Sequence, residues 1–245
     1  MRVQLGKPTS YGYTLPVIRH GLARARYPRL GARNKLLDFG SGNGANTVLF
    51  APDFDHVLGV DVEPERVSEA RANAEQKGLT NLEYSLYDGE HLPLADQSID
   101  CVVSFEVIEH THDDRAALRE ISRVLKPGGL FCGSVPNKFY LMETHGFDLP
   151  FADVIPYSRV PLMNLLPRSF YRRFGNAAIY TRRQFSSLLE DAGFSNIDTE
   201  YIRPPFDKVE NARLQQALRA AYARLPAFMG VSIFFAAQAG SSRAS

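Results

Sequence analysis

The sequence predicts an α/β fold built on a doubly wound, mostly parallel sheet of about seven strands. Three observations carry this. Short apolar runs alternate with stretches of helical period, the pattern of βαβ units. A glycine-rich turn follows the first of these runs. An acidic residue, Asp61, ends the second run, 21 residues after the turn's first glycine, Gly40.

Taken in order, Lys35 to Phe39 reads as the first strand, followed by the glycine turn and a helix from about Ala45. His56 to Val60 is the second strand. Its helix starts near Pro64, a favourable first-turn residue, and stops at Gly78. Asn81 to Leu86 forms a third strand and Ile99 to Phe105 a fourth. Thr111 and Asp114 make a T-x-x-D pattern that can cap a helix running to about Leu125. Lys126-Pro127-Gly128-Gly129 then reads as a stop-and-turn signal before a fifth strand, Leu130 to Val135. Periodicity fails from Pro136 to about Ile179. Five prolines and eight Phe or Tyr residues make this stretch too apolar for a disordered linker, so a folded insertion of loops and short helices is expected. Thr181 can cap a helix through Ala192, ended by Gly193. Phe194 to Tyr201 and Val231 to Ala237 are the last strands, with a helix near Ala212 to Leu225 between them.

Bulk properties narrow the class. A chain of 245 residues with 44% hydrophobic and 22% charged residues fits one α/β domain with insertions. Cys101 and Cys132 lie in apolar runs and are expected to be buried and reduced. No Cys/His cluster has metal-ligand spacing, so no metal is expected. No run of about 18 apolar residues suggests a signal peptide or membrane span, which makes the cytoplasm the default location. The net charge of +1 hides an asymmetry: eight basic and no acidic residues fall between Met1 and Leu37. They read as a solvated helix face, with contact to an anionic substrate or a membrane surface as the alternatives. A nucleic-acid partner is not expected, because the rest of the chain is balanced.

The strongest local signal is Leu36-Leu37-Asp38-Phe39-Gly40-Ser41-Gly42-Asn43-Gly44. Glycines after a strand allow a sharp turn and close approach of a ligand to the backbone. An acidic residue at the end of the next strand can accept two hydrogen bonds from ribose hydroxyls. Together they specify a nucleoside-containing ligand at the carboxyl end of the sheet. Gly40, Gly42 and Ala45 also satisfy a dinucleotide pattern, so the loop alone does not exclude NAD. Asp38 discriminates: a carboxylate there would repel a pyrophosphate but suit the ammonium of an amino-acid moiety.

These residues resemble the class I S-adenosylmethionine-dependent methyltransferases, and in particular the group containing ubiquinone, menaquinone and natural-product enzymes. Asp38 to Gly44 is similar to that family's D-x-G-x-G-x-G loop, and Val60-Asp61 to its ribose-binding acidic position. Tyr87-Asp88-Gly89-Glu90-His91-Leu92-Pro93-Leu94 resembles its adenine-binding segment. Ile99 to Ser104 resembles its fourth strand, and Leu125 to Gly129 the turn before its fifth. The resemblance implies a Rossmann-like seven-stranded sheet whose last strand is antiparallel. It also implies a core of residues 35–136 and 181–239, a substrate cap inserted after strand five at 137–180, a basic helical segment at 1–34 and a tail at 240–245. S-adenosylmethionine would be bound and S-adenosylhomocysteine released. Asp38 and Gly40 would serve the methionine end, within a loop completed by Ser41, Gly42 and Gly44. Asp61 would hold the ribose, Val62 the adenine face, and Asp88 with Gly89 the adenine edge. Ser104 and Phe105 would close the cofactor side at the end of the fourth strand.

Methyl transfer is an in-line displacement that gains mostly from positioning, with a general base needed only for a poorly acidic acceptor. The candidate bases are His110, beside the fourth strand's end, and His145, in the insertion. Asn137, Phe139, Tyr140, Phe147, Phe151 and Tyr157 can line an apolar pocket for a small-molecule substrate or pack on one another. Arg168, Arg172 and Arg173 make residues 162–174 basic and amphipathic, a second stretch that suits an anionic lipid surface. Two rival functions are an NAD-dependent oxidoreductase and a non-catalytic methyltransferase-like binding protein. The sequence does not indicate an oligomeric state.

Overall fold

The computed structural model describes residues 14–141, 164, 166, 177–207 and 209–240. Seven strands form one sheet: β1 (Lys35–Phe39), β2 (His56–Asp61), β3 (Leu82–Leu86), β4 (Ile99–Phe105), β5 (Leu125–Pro136), β6 (Phe194–Ile202) and β7 (Ser232–Ala239). Their order is β3-β2-β1-β4-β5-β7-β6. The pairs from β3 through β5 are parallel, and β7 runs antiparallel to both neighbours. Chain order reverses between β1 and β4, creating the crevice where open α/β sheets bind ligands.

Period-two alternation builds a core on each face. In β1, Leu37 and Phe39 join the cluster under α3 (Asp114–Val124) and α4 (Arg182–Asp191), through Leu118, Ile121, Phe185 and Leu189. Leu36 joins the opposite cluster, which α1 (Thr14–Arg24) and α2 (Pro64–Gln76) cover with Ala23, Val67 and Ala70. A fifth helix, α5 (Ala212–Ala223), buries none of its residues. Both cysteines are free and buried, as expected.

Three local expectations are corrected. The segment after the glycine turn makes two 3-10 turns, Thr47–Leu49 and Ala51–Asp53, instead of a helix from Ala45. Pro52 has no amide to continue a ladder, and Thr47 directs its hydroxyl into the core toward Asp38. The cap of α3 is Asp113, whose carboxylate accepts from the Arg115 and Ala116 amides, whereas Thr111 donates to the Ile108 carbonyl. The Lys126 to Gly129 stretch is looped within β5: Leu125 already pairs with Ile99, and pairing resumes at Leu130 with Cys101.

The basic N-terminus is corrected in part as well. Arg19 is buried and faces Glu106 at 3.1 Å. Arg26 reaches Asp198 and Glu200, and Arg29 reaches Asp198. These positive charges fasten α1 and the turn after it to the sheet, so they do not form a solvated face.

Candidate functional site

The carboxyl ends of β1, β2 and β3 bring the glycine turn, Asp61-Val62 and Asp88-Gly89 to one edge. The turn is anchored by the Gly40 and Ser41 amides, both 2.9 Å from the Val60 carbonyl. Gly40 has φ +79, and a Cβ there would overlap the Val107 side chain, so only glycine fits. Gly42 differs. Its φ is +54, yet a Cβ would meet nothing within 4 Å, leaving the face of the turn open to a ligand. Its amide donates to Asp61 Oδ2 at 2.8 Å, while the Glu63 amide donates to Oδ1 at 3.1 Å. Each oxygen of Asp61 therefore keeps a lone pair for a further donor.

Asp38 is fully buried and accepts a 2.6 Å hydrogen bond from the Thr47 hydroxyl. Burial pushes its carboxyl up to about 7, with the nearby Asp61 charge acting in the same direction. Ser41, three residues on, is buried against Gly59, and its hydroxyl has no hydrogen-bond partner among the described residues. Val62 is 43% exposed just beyond Asp61 and faces the Gly89 backbone. Asp88 is exposed, and one oxygen takes the Glu90 and His91 amides, each at 2.8 Å. Those two amides hold its carboxyl below the usual carboxylate range.

The remaining expected positions fall differently. The Ser104 hydroxyl is buried and donates to the Phe39 carbonyl, and the Phe105 ring lies between Phe50 and the Arg19 guanidinium. Both side chains are therefore engaged within the fold. Gly44 packs against Tyr84 and Ala70, which keeps it out of the open face. His110 is half-buried at the end of a 3-10 turn, Ile108–His110, three residues after the Val107 that packs on Gly40. Asn137 is buried with its side-chain amide donating to the Phe228 and Gly230 carbonyls, a structural role. His145, Phe147, Phe151, Tyr157, Arg168, Arg172 and Arg173 lie outside the described residues.

Four residues that the motif reading passed over support the site. Thr47 contacts Asp38. Arg19 pairs with Glu106, a left-handed residue (φ +58) next to Val107. Glu120 accepts from the Leu92 amide, and Arg123 donates to the Leu92 and Leu94 carbonyls, so α3 pins the segment that follows Asp88. The spacing of Glu120 and Arg123 is a helical i,i+3 ion pair visible in sequence, although its grip on the distant loop is not. A surface cleft of about 560 Å³ between α2 and β3 touches none of the expected site residues except through Tyr84 behind Gly44. Among the described residues no group of three or more His, Cys, Asp or Glu can hold a metal.

An open glycine face, an unpartnered buried hydroxyl, a half-satisfied carboxylate and an exposed apolar side chain, lined along one edge, suit a nucleoside with an amino-acid arm. Comparisons with known proteins agree. Residues 37–133 match the family model described as a methyltransferase domain. A protein of Mycolicibacterium smegmatis described as a probable S-adenosylmethionine-dependent methyltransferase is 32% identical over 186 residues, 74% of this chain and 60% of the relative. A ubiquinone biosynthesis O-methyltransferase of Cereibacter sphaeroides is 38% identical over 104 residues, 42% of each chain. The chain thus spans less than two thirds of these relatives. In fold it is similar to an S-adenosylmethionine-dependent methyltransferase from Mesorhizobium loti, with TM-score 0.60, 20% identity, and coverage of 89% of this chain and 96% of the other. A phosphoethanolamine N-methyltransferase of Haemonchus contortus gives TM-score 0.60 at 20% identity, over 90% of this chain and 53% of the other. Residues 37–133 thus carry a methyltransferase domain, and in its ordered motifs and seven-stranded sheet the chain is similar to the class I S-adenosylmethionine-dependent methyltransferases.

Proposed function

We propose that the chain is an enzyme that transfers a methyl group from S-adenosylmethionine to an O, N or C atom of a small molecule. The observation that carries this reading is the Gly42–Asp61 hydrogen bond. It fixes a carboxylate with free lone pairs beside the one glycine of the turn whose face is open. When bound, the cofactor supplies a methyl group made electrophilic by its sulfonium.

The chain's own residues do the binding and positioning. Asp61 accepts from the ribose hydroxyls, and Val62 covers one face of the adenine. The oxygen of Asp88 that makes no bond to the loop amides takes the adenine edge. Asp38 offsets the charge of the methionine ammonium, and the Ser41 hydroxyl gains a partner. His110, at the same edge, is the proton acceptor for an alcohol or amine substrate. An acceptor that is already acidic needs only orientation.

A sugar, polyketide, quinone or lipid precursor fits the insertion's aromatic composition. The named activities of relatives support a small-molecule acceptor while spanning different atoms: a ubiquinone O-methyltransferase, an arsenite methyltransferase and a phosphoethanolamine N-methyltransferase. The buried Asp38 argues for this cofactor over NAD, whose pyrophosphate would meet a carboxylate at the turn.

Calorimetric titration with S-adenosylmethionine, S-adenosylhomocysteine and NAD tests the reading, with Asp61→Ala as control. Binding of the first two ligands and not NAD, lost in the variant, is the expected result. Binding of NAD alone would overturn it. Cofactor binding without turnover of any acceptor in the four classes would favour a non-catalytic role.

A further inference from the structure

The helix α5 and the 3-10 turn after it, Ala227–Met229, form a surface that the proposed methyl transfer does not use. None of the helix's residues is buried. Its half-buried positions are Gln215, Leu218 and Tyr222, of which Gln215 and Tyr222 meet Phe206 and Tyr222 also meets Tyr140, and the opposite stripe presents Arg213, Ala217, Ala220 and Arg224 to solvent. Two large apolar side chains flank this stripe, Leu214 at 53% and Phe228 at 48% exposure. From Asn211 to Ser245 the sequence contains no acidic residue.

The fold sets this surface at the functional edge. α5 leaves the carboxyl end of β6, which runs in the same direction as β1 through β5, and returns into β7. Asn137, just past the carboxyl end of β5, donates to the Phe228 and Gly230 carbonyls. Phe139 stands edge-on to Phe228 with ring centroids 5.8 Å apart. The acid-free helix therefore adjoins the first residues of the insertion, on the edge that carries the glycine turn.

We propose that α5 and its following turn dock on an anionic lipid surface. Arginines on a helical stripe with flanking apolar side chains match a negatively charged interface, where the guanidinium groups stay at headgroup level and Leu214 and Phe228 enter the acyl boundary. A second copy of the chain fits less well. A two-fold contact would set Arg213 and Arg224 against their own copies. A protein partner would need a wider desolvated aromatic centre than two separated apolar side chains provide. Docked in this way, the acceptor side of the sheet faces the membrane.

The test is co-sedimentation of the full chain, without cofactor, with phosphatidylcholine vesicles and with vesicles of phosphatidylcholine and phosphatidylserine in equal parts. Binding to the mixed vesicles alone is expected, weakening with salt. Arg213→Gln with Arg224→Gln should lower it by about tenfold or more, and Leu214→Ser with Phe228→Ser should lower it independently. The Arg213→Lys/Arg224→Lys protein should keep binding, which together with unchanged melting separates lost charge from lost folding. Equal binding to both vesicles, no binding, or undiminished binding by the Gln variant would overturn the proposal. Self-association that Leu214→Ser abolishes, in the absence of vesicle binding, would assign the face to a second copy instead. None of these outcomes depends on methyl transfer.

Discussion

Arg19 in the N-terminal helix places its guanidinium 3.1 Å from the Glu106 carboxylate at the carboxyl end of β4. The same carboxylate accepts a 2.6 Å hydrogen bond from Ser134 on β5, and the guanidinium lies 5.6 Å from the centre of the Phe105 ring. Glu106 is held at φ +58, a conformation that an L residue adopts only under constraint. Next to it, Val107 packs on Gly40. The N-terminal helix is thus joined to the glycine turn through two contacts, Arg19 with Glu106 and Val107 with Gly40, linked by the peptide bond between Glu106 and Val107. Breaking a largely buried pair leaves a charge without its counterion, so Arg19→Met should destabilise the protein by about 3 kcal/mol. Arg19→Lys should recover part of that loss. Urea denaturation midpoints at constant m-value measure both.

Gly40 and Gly42 should respond oppositely to alanine. At Gly40 the new methyl overlaps Val107, so Gly40→Ala should unfold the protein at a lower denaturant concentration. Val107→Ala should restore part of that stability when combined with it. At Gly42 there is space, and the left-handed conformation alone costs about 1 kcal/mol. Gly42→Ala should therefore stay folded yet bind S-adenosylhomocysteine at least tenfold more weakly, because the methyl occupies the open face of the turn. Thermal melting with and without the ligand separates the two: Gly42→Ala lowers the ligand-free transition by only about 2–4 °C and loses the ligand-induced rise.

Asp38 makes stability depend on pH in a direction unusual for a carboxylate. Burial raises its folded-state value from 3.8 to about 7, so the folded chain holds the proton more tightly than the unfolded chain. Its contribution is fully present in acid and is lost as pH rises from the ordinary carboxylate value through about 7. Asp38→Asn removes that dependence. Between about pH 5 and about pH 8, the ligand-free wild type should lose about 2–3 kcal/mol relative to the variant. In the proposed complex the methionine ammonium stabilises the charged form, so ligand affinity should rise across the same window and level off above it. Calorimetry in two buffers of different ionisation enthalpy would detect the released proton. An Asn variant with the same pH profile as the wild type would show that Asp38 is not the titrating group.

How much of this was legible in the sequence depended on how local each cause is. The limits of β4, the start of α2 at Pro64 and the Thr181 cap of α4 follow from neighbours within four residues, and they are found where the periodicity predicts them. The edge proposed for the cofactor is legible because a glycine loop and an acidic strand end carry their own chemistry. Ser104 and Phe105 show the limit. Their place at the end of β4 was readable, but the Ser104 bond to Phe39 and the stacking of Phe105 on Phe50 depend on residues more than fifty positions away. The internal pairing of Arg19 and Arg26 was hidden for the same reason. Their acidic partners, Glu106, Asp198 and Glu200, are scattered through the chain, so a local charge count registers only the excess of positive residues.

The cap of α3 turns this contrast into a last prediction. Thr111 and Asp114 fit a capping pattern in the sequence, but the Asp113 carboxylate is what accepts from the Arg115 and Ala116 amides, at 2.9 and 3.1 Å. Asp113 is also better suited electrostatically, since a negative charge at a helix N-terminus meets the positive end of the macrodipole. Thr111 instead closes the preceding turn by donating to Ile108 at 2.7 Å, and Asp114 accepts from the Tyr180 hydroxyl at 3.0 Å. Asp113→Ala should therefore cost about 1 kcal/mol through the helix end. Asp113→Asn should recover most of it, since an amide oxygen still caps. Thr111→Ala should cost less, and its effect should add to that of Asp113→Ala if the two hydroxyl and carboxylate contacts are independent. Denaturant unfolding of the two single variants and the double variant measures this, and a Thr111 effect larger than that of Asp113 would return the cap to the residue that the sequence pattern suggests.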